Sequence, residues 1–400
     1  MKAYIVDAVR SPIGRRNGTL AAMRGDDLAA QILIALVERA RIEPGLVDDV
    51  QMGCVTQIGE QGWNISRMAV MAAGWPVEVA GTTVDRQCGS SMQTNFNAAA
   101  AVAAGQLDVV VSAGVEMMSR VPMGSNGGDL SSLVTDRFDI VPQGISAELI
   151  ADEWELNRES LDEYSLTSHR RAIAAIDAGR FEGEIVPIEL PEPGPAGGAG
   201  PGPRQVDGGG AAVAAPAVFA VDETPRRDTS AEALAALKPA FRPDGVVTAG
   251  NASQIVDGSA AVLIAGEAAC TRLGLEPRAR FAGFGLAGVD PTRMLHGNPE
   301  AIRKALARAG IGLDDVAVFE VNEAFASVVL QTVHDLDLAD RLADVNPNGG
   351  GISLGHPLGA TGARVTATLV NELGRRGARY GVASMCVGFG MAIAGVVERL

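Results

Sequence analysis

The feature that most constrains this fold is an alternation, run through twice, of short apolar stretches with Ala-rich helical patterns. The first pass reads as strand 3–9 and helix 28–40, strand 50–55 and helix 65–73, strand 82–84 and helix 92–104, then strand 109–113. Strands alternating with helices in this way predict a layered α/β unit. A second pass runs through 280–285, 299–309, 316–321, 324–333, 361–373 and 380–386, and finishes on a strand at 391–398. The shared order of elements, rather than a residue-by-residue repeat, implies an internal duplication.

Between the two passes, from about 121 to 248, the pattern changes to helices at 147–154 and 158–178, followed by a Pro, Gly and Ala run at 191–216. Such a run holds no regular element and reads as an exposed loop. Ordered structure resumes near Asp222, with Asp228, Thr229 or Ser230 as the cap of a short helix that Pro239 ends. The resulting division is 1–121 for the first half, completed by about 249–270, then 122–248 as an inserted domain and 271–400 as the second half.

Four segments bring together residue types suited to covalent chemistry. Cys88, in Asp85-Arg86-Gln87-Cys88-Gly89-Ser90-Ser91, follows a β-like run and stands where a helix begins. The helix dipole and free N–H groups there favour a thiolate. Taken alone, an isolated cysteine is more often an inert core residue. His356 lies in Asn346-Pro-Asn-Gly-Gly-Gly-Ile-Ser-Leu-Gly-His356-Pro-Leu-Gly-Ala-Thr-Gly362, a glycine-rich loop that can fix an imidazole beside a ligand. Asn322 opens Asn322-Glu323-Ala-Phe-Ala at the end of a strand, where it either caps the next helix or faces the sheet's carboxyl edge. Cys386 ends a strand before Val387-Gly388-Phe389-Gly390.

This set resembles the thiolase family, and the resemblance runs from Met1 to Leu400. It implies an α/β fold in which duplicated βαβαβαββ halves form an α-β-α-β-α layered core with an inserted loop domain. It also implies roles. Cys88 is the nucleophile that becomes acylated. His356 is its base and a member of an oxyanion hole, together with a water held by Asn322. Cys386 is the second acid/base, and the Gly388 amide joins that of Cys88 in a second oxyanion hole. Phe389 stands where the family usually has glycine. No metal or redox cofactor is implied, because coenzyme A and acyl-CoA are substrates.

For CoA, Gly250-Asn-Ala-Ser253-Gln254-Ile-Val-Asp-Gly258 resembles the stretch whose serine contacts pantetheine, which nominates Ser253. Family members usually carry glycine at the position of Gln254, so the pocket is expected to be reshaped there. Arg226 and Arg227 lie where thiolases place residues near the nucleotide phosphates. Gln143, in Pro142-Gln143-Gly144-Ile-Ser-Ala-Glu148, replaces the His-Met pair of members specialised for acetoacetyl-CoA. That departure argues against a pocket sized for a short acyl group, and Arg15-Arg16-Asn17-Gly18 and the segment from Cys54 to Arg67 are similar to actinobacterial thiolases acting on bulky, including steroid side-chain, CoA esters. The reading is CoA-dependent cleavage of a 3-ketoacyl-CoA. The alternatives are an acetyl-CoA acetyltransferase and a non-catalytic acyl-CoA-binding relative.

The bulk properties fit. A net charge of −15 draws neither nucleic acid nor an anionic membrane. Cysteines at 54, 88, 270 and 386 form no CxxC pair, so no zinc cage or disulfide framework is signalled. A reducing compartment, no secretory signal and no membrane-length apolar segment predict a cytoplasmic protein, and the family implies a homodimer or homotetramer. Gly283-Phe-Gly285-Leu-Ala-Gly288 fits GxGxxG, but Val-Asp-Pro291 follows it instead of a helix, so it is no dinucleotide fingerprint. Trp63 and Trp154 read more readily as core packing than as marks of an interface or a substrate wall.

Overall fold

The computed structural model describes residues 2–191 and 217–400, so the Pro/Gly run lies, from residue 192 on, outside the described residues. The first half is built from β1 (Ala3–Arg10), α1 (Gly25–Ala40), β2 (Asp49–Gly53), α2 (Ile65–Ala72), β3 (Ala80–Val84), α3 (Ser90–Ala103) and β4 (Val109–Met117). Helices α4 (Gln143–Glu153) and α5 (Arg158–Asp177) follow, and β5 (Val256–Gly266) returns to the first half. The second half is β6 (Ala279–Gly288), α6 (Asn298–Ala309), β7 (Val316–Val321), α7 (Ala326–Asp335), α8 (Thr361–Arg376), β8 (Tyr380–Val387) and β9 (Met391–Arg399).

Strand order makes the duplication visible. Along the sheet it runs β7-β8-β9-β6-β1-β5-β4-β2-β3, with the short strand Gly14–Arg15 beside β5. In the first half β3, β2 and β4 are parallel, then β5 and β1 are antiparallel. In the second, β7 and β8 are parallel, then β9 and β6 are antiparallel, and a parallel bridge from Phe319 to Val345 stands where β3 stands in the first. The halves meet at one pair, Ile5 with Ala279. The connection β8–β9 is only Gly388-Phe389-Gly390, whereas its counterpart β4–β5 carries the whole middle region 118–255.

Helices α3 and α8 lie side by side between the half-sheets, sharing one buried apolar cluster that includes Met92, Ala98, Ala363 and Leu369. Their approach is close because Gly362 has no side chain: a Cβ there would sit 2.1 Å from the Met92 amide nitrogen. Ser91 fastens the contact, its hydroxyl accepting from the Ala363 N–H at 2.9 Å. Helices α1 and α2 cover the outer face of the first half-sheet and α6 and α7 that of the second, each over its own apolar cluster. Five layers result, helix and sheet alternating. The central helices, with a layer on each side, are buried on most of their surface, whereas the outer helices bury one face.

Three elements depart from the sequence reading. β5 carries no strand pattern, because it is buried along its full length and so lacks an alternation of apolar and polar residues. The GxGxxG stretch is strand β6 itself. Gly285 there lets α6 settle on the sheet, since a Cβ would lie 1.9 Å from the Ala301 carbonyl oxygen. Trp63 is 88% exposed rather than core, while Trp154 is half-buried and donates to Asp335 at 2.7 Å. Ser230 is the cap of the one-turn helix Ala231–Ala235, accepting from the Ala233 N–H.

Candidate active site

The duplication puts Cys88 and His356 in related places, each a few residues before one of the paired central helices. Cys88 sits at a turn in which Gln87 has φ 46° and Gly89 is the N-cap of α3. His356 sits five residues before Thr361, the first residue of α8. Both line one cavity of about 500 Å³. Gly388 lines it too, at the end of β8, where Gly89 packs against Val387 and Ile393.

The sulfur of Cys88 is buried, and burial pushes its thiol up to about 12 against the opposing pull of its own N–H and that of Gly388. This corrects the expectation of a resting thiolate: desolvation outweighs the helix start. Two amides nonetheless converge on the sulfur, as an oxyanion site would require. Cys386, fully buried near the end of β8, is also held as a thiol, first by burial and then by the repulsion an ionised Cys88 would add.

His356 is held from both ring nitrogens. Nδ1 lies 2.6 Å from the Thr361 hydroxyl, which itself donates to the Pro357 carbonyl at 2.8 Å. Nε2 lies 3.3 Å from the Asn322 amide nitrogen. Burial, reinforced by the Arg364 charge, lowers the imidazole to about 3. The ring is therefore neutral at physiological pH, the form a base needs.

Asn322 does not cap a helix, because α7 begins at Ala326 with Phe325 as its N-cap. Its backbone N–H donates to the Ser384 carbonyl at 2.9 Å, which tethers it to β8 and leaves the side chain for His356. The loop around it is braced by Asn346 and Glu323. Asn346, at φ 48°, uses its side chain as a strand would, accepting from the Val321 N–H and donating to the Val321 carbonyl, both at 2.8 Å. Glu323 accepts from Tyr164, Ser168 and the Ile352 N–H at 2.8, 2.7 and 3.0 Å. Neither these braces nor Thr361 was singled out from sequence. Glu323, next to Asn322 in the sequence, was the available signal, since a glycine-rich loop such as 346–362 must borrow its fixation from elsewhere.

Residues 3–268 match the family described as thiolase, N-terminal domain, and residues 275–399 match thiolase, C-terminal domain. The chain belongs to the thiolase family. It is 43% identical to a steroid 3-ketoacyl-CoA thiolase of Mycobacterium tuberculosis, over 100% of this chain and 94% of that protein. It is also 43% identical to a beta-ketoadipyl-CoA thiolase of Acinetobacter baylyi, over 100% and 99%. The crystal structure of the Bacillus anthracis acetyl-CoA acetyltransferase superposes with a TM-score of 0.87 at 40% identity, covering 100% of this chain and 99% of that one. The protein is thus an enzyme of the acyltransferase class with the thiolase fold.

The remaining nominated residues of this thiolase divide by position. Ser253 and Gln143 line the same cavity as Cys88. Arg226 borders a neighbouring recess of about 180 Å³, which shares Gln254 with the main cavity. Arg227 faces neither, being exposed and paired with Asp177 at 2.6 Å. Gln254 donates to the Ile352 and Ser353 carbonyls at 2.9 and 3.0 Å, and its own carbonyl accepts from the His356 N–H at 3.2 Å. Its side chain and backbone together staple the His356 loop. Among the described residues no group of three His, Cys, Asp or Glu side chains is placed to hold a metal ion, and no helix is long and apolar enough to cross a membrane.

Proposed function

We propose that this thiolase cleaves a 3-ketoacyl-CoA with coenzyme A, giving acetyl-CoA and a shortened acyl-CoA, in lipid or steroid side-chain breakdown. The observation that carries the reading is the convergence of Cys88, His356 and Gly388 on one cavity, with a neutral imidazole and two amides aimed at the sulfur. His356 Nε2 takes the Cys88 proton as the sulfur attacks the 3-keto carbon. The bond between the α- and 3-carbons breaks, its electron pair passing to the enolate of acetyl-CoA, and the Cys386 thiol protonates the α-carbon. Coenzyme A, deprotonated by the now thiolate Cys386, then attacks the Cys88 thioester. The shortened acyl-CoA leaves and Cys88 recovers its proton from His356. Negative charge on the oxygen is met at each stage by fixed donors, the Cys88 and Gly388 amides on one side and His356 with a water on Asn322 on the other. Each such donor is worth a few kcal/mol.

Pantetheine passes Ser253 and Gln143, and the nucleotide lies toward Arg226, with Arg227 at the periphery. The inserted region 122–248 serves substrate and CoA binding and oligomerisation, between the half 1–121, completed by about 249–270, and the half 271–400. The enzyme is assigned to the cytoplasm and to a homodimer or homotetramer. Two features support assembly: β3 ends the sheet, with an outer edge unpaired among the described residues, and Trp63 is exposed near it. Sedimentation velocity of the wild type and Trp63→Glu tests this.

The deciding assay follows loss of 3-ketoacyl-CoA enolate absorbance on adding coenzyme A, for wild type and Cys88→Ser. Cleavage of substrates beyond acetoacetyl-CoA that collapses in the variant supports the reading. Activity on acetoacetyl-CoA alone makes the protein an acetyl-CoA acetyltransferase, and binding without turnover makes it an acyl-CoA carrier.

A further inference from the structure

Phe389 occupies the point at which the two halves differ most, the three-residue turn that replaces the entire middle region. Its φ is 63°, in the left-handed region, where the Cβ of a bulky residue crowds its own backbone. Gly390 beside it, at φ 77°, suits the turn, since a side chain there would meet the Val289 carbonyl oxygen at 2.5 Å. Phenylalanine is the residue out of keeping with the backbone. Its ring does not repay the strain by burial, being 49% exposed at the mouth of the cavity that holds Cys88. Strained backbone of this kind is concentrated at ligand sites, and Phe389 holds its strain where it lines the cavity.

The cavity wall supplies a second, independent observation. Among the described residues none of the side chains lining it is charged at neutral pH; Met118, Met123, Met294, Phe241 and Phe325 provide an apolar surface. A carboxylate at the far end of an acyl tail would lose water there and find no cation, an expensive exchange.

Resting on the thiolase reading, we propose that Phe389 is a specificity-determining residue: its ring closes one side of the acyl entrance and, with the uncharged wall, selects 3-ketoacyl-CoAs with bulky neutral tails. Short tails leave the ring without a partner, and tails ending in a carboxylate are rejected. The beta-ketoadipyl-CoA type of substrate is then excluded, despite the 43% identity to a thiolase of that name.

The test compares kcat/KM for acetoacetyl-CoA, a neutral 3-ketoacyl-CoA with a long or ring-bearing tail, and 3-ketoadipyl-CoA, in wild type, Phe389→Leu and Phe389→Gly. The wild type is expected to favour the bulky neutral tail over 3-ketoadipyl-CoA by about 100-fold, the scale of an unpaired buried carboxylate. Phe389→Gly lowers the ratio of bulky to acetoacetyl activity about tenfold, chiefly through KM, with Phe389→Leu between. A structural role would lower all three substrates in parallel and leave that ratio unchanged, which would overturn the proposal, as would equal cleavage of 3-ketoadipyl-CoA. Wild-type activity confined to acetoacetyl-CoA also overturns it while leaving a thiolase in place. No activity with any substrate removes the thiolase reading and this proposal together.

Discussion

The Nδ1 atom of His356 lies 2.6 Å from the Thr361 hydroxyl, and this contact decides which ring nitrogen carries the proton. Because the Thr361 hydroxyl proton is engaged by the Pro357 carbonyl, its oxygen accepts from Nδ1–H. Nε2 is left with its lone pair, beside Asn322. The nitrogen proposed as the base is thus oriented through the other side of its ring by Thr361, the first residue of α8.

Thr361→Val keeps the shape and removes the acceptor. The ring then loses its fixed tautomer, and kcat is expected to fall about 10- to 100-fold with KM little changed, since no binding group is touched. Steady-state kinetics on the best substrate measure this; an unchanged kcat would mean that another group fixes the ring.

Stability should depend on pH through His356. Its pKa is lowered by burial to about 3 from an ordinary 6.5, so between those values the unfolded chain binds the extra proton. The stabilisation from burying a neutral ring is therefore complete above pH 6.5 and lost as pH falls toward 3, with a slope approaching about 1.4 kcal/mol per pH unit. Denaturant midpoints from pH 7 to 5 should fall more steeply for wild type than for His356→Asn. Equal slopes would contradict the burial of a neutral imidazole.

At Gly388 the amide matters, not the missing side chain. A Cβ would find its nearest atoms at 3.6 to 3.8 Å, on Gln143 and Gln87, which is ordinary contact. Gly388→Ala should therefore fold with a stability within about 0.5 kcal/mol of wild type and keep activity within about tenfold. Thermal melting and the thiolysis assay together check it, and a severe loss of folding would show the turn to be tighter than these distances allow.

Gln254→Ala leaves the Ile352 and Ser353 carbonyls without their donor. The expected cost is about 1–3 kcal/mol of stability, with a fall in kcat because the His356 loop loses its staple. Urea unfolding gives the first number. Rescue of both by Gln254→Asn would show that reach is not critical, and is not expected.

Trapping gives the most direct view of Cys88. Brief mixing with substrate in the absence of coenzyme A, followed by acid quench and peptide mass analysis, should find the acyl group on the Cys88 peptide alone. Cys386→Ala should still form the adduct from an acyl-CoA while losing carbon–carbon cleavage by at least about 100-fold. An adduct on Cys386 instead would exchange the two roles.

The order of elements and the positions of the candidate site residues are legible in the chain without its fold. Hydrophobic period and glycine punctuation are local properties, so the duplicated halves, the helix starts after Cys88 and His356, the strand end before Asn322 and the strand that carries Cys386 near its end could all be read without coordinates. Tertiary structure alone decided what those residues experience. Burial by segments far away in the chain turned the Cys88 thiolate expected at a helix start into a thiol, and held His356 neutral. It hid β5, whose two covered faces erase the alternation that marks a strand, and it left Trp63 in solvent. Desolvation and accessibility are set by whatever packs across the fold, and no local window of sequence contains that neighbour.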